Sequence, residues 1–260
     1  MTEKLQLDEP AEGVARLTIS NPQRRGALDH EILDALAEHA RTLDARCLVI
    51  RGSGDVFSAG YDLGNLSEQR FEESAEKLVA HPFHDALEGL EASRYPVVAE
   101  INGHAIGGGL ELALTCDIRL AASGVRMGMP PAKLGLIYSH TGLRKFLELC
   151  GPAHTNALFY LGSLIDAERA REIGLVSHVV EPGDLEERTL DMAGEIAANA
   201  PLSLAGNKRI LRTLRAYEGA LPEDVEQELI ELRESCFESE DFREGVRAFA
   251  EKRAPEWKGE

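Results

Sequence analysis

Polar and apolar residues alternate over Gly13–Ser20, where Ala15, Leu17 and Ile19 interleave with Arg16, Thr18 and Ser20. That period of two predicts a strand with one buried face. The loop Asn21–Gly26 ends it, and Asp29 stands where it can cap a helix from His30 to about Leu43. Cys47–Arg51 reads as a second strand, followed by the small-residue loop Gly52–Asp62. Residues 65–82 are polar and charged and read as a mobile loop or surface helix. A helix over Phe83–Ala92, a strand over Val97–Ile101, an apolar helical segment over Leu110–Leu114 and a strand over Ile118–Ala122 come next. The alternation is that of ββα units in an α/β fold. From Gly151 onward helices dominate: Ala153–Gly162, Asp166–Ile173, Leu185–Asn199, Ser203–Ala216, Pro222–Phe237 and Phe242–Lys252, with a short strand at Leu175–Val180. The expected organisation is a core over 1–200 and a helical lobe over 201–260.

The stretch Pro96–Asp117 stands out within this pattern. Asn102-Gly103 breaks the strand, and Gly107-Gly108-Gly109 opens a helix that is almost wholly apolar. Three glycines there cost roughly 1 kcal/mol each against alanine. They offer bare N–H groups at the positive end of a helix, which suits a negative oxygen. One turn inside sits a carboxylate, Glu111, among leucines and alanines. Two readings fit: an anion site, or glycines that allow close packing with Glu111 reaching solvent.

Composition narrows the classes. At 43% hydrophobic and 28% charged the chain is globular. A formal charge of −17 argues against nucleic acid or an anionic membrane as partner. Cys47, Cys116, Cys150 and Cys236 are scattered without a CxxC, so neither a metal site nor a disulfide framework is indicated. With no signal-like N-terminus and no apolar run near ~20 residues, a cytoplasmic location is expected.

Two glycine loops thus follow two strands, Ser58-Ala59-Gly60-Tyr61-Asp62 and Gly107–Glu111, and two loops could each aim one donor at a developing oxyanion. The pair "FSAGYDL" and "NGHAIGGGLELALTCDIRLAA" resembles the crotonase (enoyl-CoA hydratase/isomerase) superfamily, as do "NPQRRGALD", "REIGLVSHVVEP", "APLSLAGNKRILR" and "SEDFREGVRAFAEKR". The resemblance runs from about Leu17 to the end. It implies a ββα spiral with a C-terminal helical lobe, assembled as a homotrimer or dimer of trimers. It also implies an acyl-CoA substrate, with coenzyme A as part of the substrate and no further cofactor. By position, the oxyanion donors would be the N–H groups of Tyr61 and Gly108. The coenzyme A contacts would be Arg25, the Ser58-Ala59-Gly60 backbone, and Phe249 and Lys252, often from a neighbouring subunit. Arg24 and Arg25 otherwise read as turn charges, and Phe249 and Lys252, at i,i+3, as one face of an amphipathic helix.

Hydratases of the family generally carry two glutamates. The first matches Glu111; the second aligns with Pro131, and no carboxylate occurs between Asp117 and Glu148. Hydration through paired carboxylates is therefore not supported, nor is isomerisation through the second. What stands there is Leu134-Gly-Leu-Ile-Tyr138-Ser-His140, similar to the methylmalonyl-CoA decarboxylase branch, in which a tyrosine faces the substrate carboxylate. That branch tends to have histidine where this chain has Tyr61. His140 reads either as an acid–base group or as a structural residue at a helix start capped by Ser139 or Thr141; His104 and Asp62 read as loop supports. The expectation is an acyl-CoA lyase that decarboxylates a malonyl-type thioester. The alternatives are a hydratase or isomerase using Glu111 alone, and a non-catalytic CoA-binding member. An apolar stripe of Val225, Leu229, Leu232 and Cys236 suggests packing on another subunit.

Overall fold

The computed structural model describes residues 3–62, 82–218, 222–253 and 255–256. The loop or helix expected over 65–82 lies, but for its last residue, outside them, as do the side chains of Leu229, Leu232 and Cys236. The period-two pattern becomes strand β2 (Val14–Ile19), which buries Val14, Ala15, Leu17 and Ile19. It pairs antiparallel with β1 (Leu5–Ala11) and parallel with β3 (Cys47–Gly52). The large sheet continues in parallel through β5 (Val97–Ile101), β7 (Ile118–Ala122) and β10 (His178–Val180). A second sheet holds β4 (Val56–Ser58), β6 (His104–Ile106), β8 (Arg126–Gly128) and β9 (Ile165–Asp166) in that order. The strands β3, β5 and β7 of the large sheet are thus each followed by a strand of the small one, which is the ββα repeat. The fold is mixed α/β, as expected. Sequence reading missed β1 and the whole small sheet, whose strands of two or three residues are too short to show a period.

Helix α1 (His30–Thr42) starts at the expected cap, where the Asp29 carboxylate accepts the Ile32 N–H at 3.0 Å. Asp29→Ala should therefore cost about 1 kcal/mol, read as a lower urea midpoint with an unchanged slope. Helix α1 packs on α2 (Pro82–Ala92), and α3 (Gly108–Thr115) follows β6. Helix α4 (His140–Leu161) is capped by Ser139, whose hydroxyl accepts the Gly142 N–H, and breaks at Gly151 (φ 71°) ahead of Pro152. The boundary read before Ala153 is that break rather than a loop. Short α5 (Ala167–Glu172) and α6 (Leu185–Ala198) lead into the C-terminal helices.

These are α7 (Pro201–Glu218), α8 (Glu223–Phe237) and α9 (Glu240–Glu251). Lys208 of α7 is buried, and its ammonium donates to Leu90 O, Ser93 Oγ, Tyr95 O and Asp117 Oδ2 at 2.8–3.0 Å. Four acceptors offset the cost of burying that charge and tie α7 to the core. Helix α9 lies on the turn Pro131–Leu134 so closely that a Cβ on Gly245 would stand 2.3 Å from Leu134 O. Phe237 and Phe242 close the seam with Leu136 and Val246. Lys252, read as sharing a face with Phe249, is the left-handed C-cap (φ 54°), one residue past the end of the helix. Among the described residues no helix is long and apolar enough to cross a membrane.

Candidate active site

Strand β4 delivers Ser58 to a point where its hydroxyl donates to Gly26 O at 2.8 Å and accepts the Gly60 N–H at 3.1 Å. The Ala59 N–H donates to Arg25 O, the Leu28 N–H to Gly60 O and the Asp62 N–H to Leu28 O, at 2.7–3.1 Å. The loop of Arg25 and the loop of Tyr61 are thereby zipped together. Arg25 is exposed and left-handed (φ 53°), while Arg24 reaches the buried Asp62 carboxylate at 3.6 Å. Asp62 thus supports the loop through Arg24 as well as through its N–H. His104 does similar work on β6, where Nδ1 accepts the Arg126 N–H at 3.1 Å.

Glycine lets this double loop meet the start of α3. A Cβ on Gly60 (φ 90°) would lie 2.8 Å from Ile106 O and 3.1 Å from Gly108 N; one on Gly109 would lie 2.5 Å from Ser58 O. Close approach is therefore one reason for the glycines, as the packing alternative held. The ring of Tyr61 lies against Gly108, 3.2–3.4 Å from where a Cβ would be. Gly108 is the first residue of α3, so its N–H has no intrahelical acceptor. The N–H-bearing turn and the Tyr61 loop therefore lie side by side.

Glu111 does not reach solvent. It is 3% exposed, and Tyr138 donates its hydroxyl hydrogen to Glu111 Oε2. Tyr61 hydrogen-bonds to Tyr138 in turn, so side chains from three segments meet. Tyr138 is held by Phe159, 5.5 Å between ring centres, and by Gly142, where a Cβ would stand 2.5 Å from its ring. Burial pushes the Glu111 carboxyl above its ordinary range, against the Lys145 charge and the Tyr138 hydrogen bond, with Glu91 adding to the rise. Burial and the Glu111 charge push the Tyr138 hydroxyl well up as well, so it stays a donor.

Pro131 is buried at the head of its turn. His140 lies at the start of α4 with Nε2 3.0 Å from Glu226 of α8, and that partner is not Glu111 or Tyr138. A cavity of about 450 Å³ is lined by Tyr61, Leu87, Glu111, Leu114, His140 and Lys145, among others. Phe249 is 69% exposed on α9. Sequence reading missed the Tyr61 side chain and the ion pair between Glu91 and Lys145. Only the packing of α2, α3 and α4 brings those two residues together.

Similarity to known proteins agrees with this geometry. A sequence profile described as enoyl-CoA hydratase/isomerase matches residues 9–260. The 2,3-dehydroadipyl-CoA hydratase of Escherichia coli K12 is 34% identical over 255 residues, covering 95% of each chain. The structure of a methylmalonyl-CoA decarboxylase in complex with 2-nitronate-propionyl-CoA superposes with a TM-score of 0.89 at 28% identity, covering 100% of both chains. An enoyl-CoA hydratase/isomerase from Pseudoalteromonas atlantica T6c gives a TM-score of 0.84 at 29% identity, covering 98% of this chain and 100% of the other. The chain belongs to the enoyl-CoA hydratase/isomerase family of the crotonase superfamily and is an acyl-CoA enzyme.

Proposed function

We propose that the protein is an acyl-CoA lyase that decarboxylates a malonyl- or methylmalonyl-type thioester. The N–H groups of Tyr61 and Gly108 hold the thioester oxygen, and losing one such donor costs about 2.7–4 kcal/mol of transition-state stabilisation. Arg25 and the Ser58-Ala59-Gly60 backbone hold the coenzyme A. Phe249 and Lys252 complete that site from a neighbouring copy in a homotrimer or dimer of trimers. The exposed Leu202, Ile210, Leu211 and Leu214 of α7 support such an assembly.

The observation that carries the reaction is the state of Glu111, buried, bonded to Tyr138 and pushed toward its neutral form, with Pro131 in place of a second carboxylate. An ionised carboxylate 4 Å from the substrate's own would repel it by about 4 kcal/mol at an effective dielectric of 20. A neutral Glu111 removes that repulsion. In the reaction, the bond to the departing carboxylate breaks and its electron pair passes into the enolate. CO₂ leaves, and the enolate carbon takes a proton. Neutral Glu111 and Tyr138 carry two O–H protons and share one hydrogen bond, so one proton is left to face the substrate. It first orients the carboxylate and then goes to the carbon. The contact of His140 with Glu226 favours a role for His140 in holding α8 over the cavity.

A second reading is hydration with Glu111 as the sole proton carrier, favoured by the hydratase among the relatives. Glu111→Gln separates the two. Under decarboxylation, CO₂ release should fall by about tenfold or less, roughly 1.4 kcal/mol, because C–C cleavage itself needs no base. Under hydration, water addition should fall by about 10²–10⁴-fold. Both rates are measured on the same preparation.

A further inference from the structure

We propose that the Glu91–Lys145 ion pair is a positioning device that acts through Glu111, resting on the reading of the Glu111–Tyr138 pair as the source of the proton. Lys145 of α4 ion-pairs with Glu91 of α2 and also donates to Thr115 Oγ1 of α3 at 3.0 Å. Thr115 Oγ1 in turn donates to the backbone oxygen of Glu111 at 2.9 Å. The ammonium is thus joined through one hydroxyl to the helix turn that carries Glu111. Glu91, Thr115, Lys145 and Glu111 all line the same cavity. Such a strut fixes where Glu111 stands and sets how strongly it holds its proton.

Among the described residues, the titratable groups around Glu111 divide by element. Tyr61 and Tyr138 face it from their loops, Lys145 from α4 and Glu91 from α2. Farther along the cavity, Arg144 pairs with Glu148 at 3.5 Å and Arg212 with Glu88 at 3.7 Å, and His140 Nε2 lies 3.0 Å from Glu226. His84 and Arg215 also line it. The Glu91–Lys145 pair is bonded to α3 itself, through Thr115. Lys145 opposes the rise that burial imposes on the Glu111 carboxyl, and Glu91 adds to it. A proton donor must also give its proton up, and a buried carboxyl with no cation nearby would hold it too tightly. Lys145 keeps the donor usable, and Glu91 keeps Lys145 from ionising Glu111 fully.

The sign of the effect makes the proposal testable without any substrate, so its failure is distinct from failure of the decarboxylase reading. The carboxyl carbon of Glu111 is followed against pH by NMR in full-length protein labelled at glutamate, with Glu111→Gln to assign the signal. Lys145→Met should raise its midpoint by about one pH unit, and Lys145→Arg should restore it. Glu91→Gln, which keeps the side chain's size on a partly exposed group, should lower the midpoint. A strut with a structural role alone would lower thermal stability in both variants and leave the midpoint in place. Midpoints that stay fixed, or that move in the same direction in Lys145→Met and Glu91→Gln, would overturn the proposal. If Lys145→Met does not fold, Glu91→Gln decides it: a lowered midpoint supports the device and an unmoved one removes it.

Discussion

Gly108→Pro is expected to cut turnover by about 10²–10³-fold in a chain that still folds. Proline is tolerated at the first position of a helix, where its missing N–H has no intrahelical acceptor to lose. The added ring would press on the Tyr61 ring, 3.2–3.4 Å from the new Cβ, and a side chain can shift by a few tenths of an ångström. Gly108→Ala is the matched control, because it adds the same Cβ and keeps the N–H. The difference between the two variants isolates the donor, with an expected loss of about 2.7–4 kcal/mol, or 10²–10³-fold in kcat. Equal activity of folded Gly108→Pro and Gly108→Ala would remove Gly108 from the oxyanion site.

Tyr138→Phe is the second large effect. Phenylalanine keeps the packing on Phe159 but takes the hydrogen bond away from a buried Glu111. A buried acceptor left without its partner costs about 1–3 kcal/mol. CO₂ release should fall by a similar free energy, on the order of 5–150-fold, because the hydrogen bond that holds Glu111 in place beside the substrate is lost. The Glu111 carboxyl should also rise further, since the Tyr138 hydrogen bond is among the influences that lower it. A Tyr138→Phe enzyme working at full rate would show that the Glu111–Tyr138 contact serves packing alone.

Much of the site was legible because its chemistry is local in sequence. Ser58, Gly60, Gly107–Gly109 and Glu111 lie in two short motifs, and the backbone contacts that join those motifs follow from residues too small to keep them apart. The large sheet was legible for a similar reason, since strands such as β2 and β5 carry a clear alternation or a continuous apolar run. The small sheet left no such trace, because β4, β6, β8 and β9 are each two or three residues long. Tyr61 was read for its backbone; that its side chain also bonds Tyr138 depends on a tertiary approach no spacing encodes. The tether from Lys145 through Thr115 to Glu111 is the same kind of case, with 54 residues separating Glu91 from Lys145. Glu111 is the instructive one. In sequence it was either a solvent-seeking charge or a buried acid, and only its burial beside Tyr138 decided between them.

The central claim is that a buried Glu111 pushed toward its neutral form, with Pro131 at the position the family resemblance gives to a second glutamate, suits loss of CO₂ rather than addition of water. The direct measurement supplies the unmodified enzyme with methylmalonyl-CoA and malonyl-CoA in one series and crotonyl-CoA in another, recording CO₂ release and loss of the enoyl thioester side by side. The account predicts CO₂ from a malonyl-type thioester at a kcat/KM well above that for water addition to crotonyl-CoA. Rapid hydration of crotonyl-CoA, with no CO₂ from either malonyl-type thioester, would contradict it and assign the protein to the hydratases.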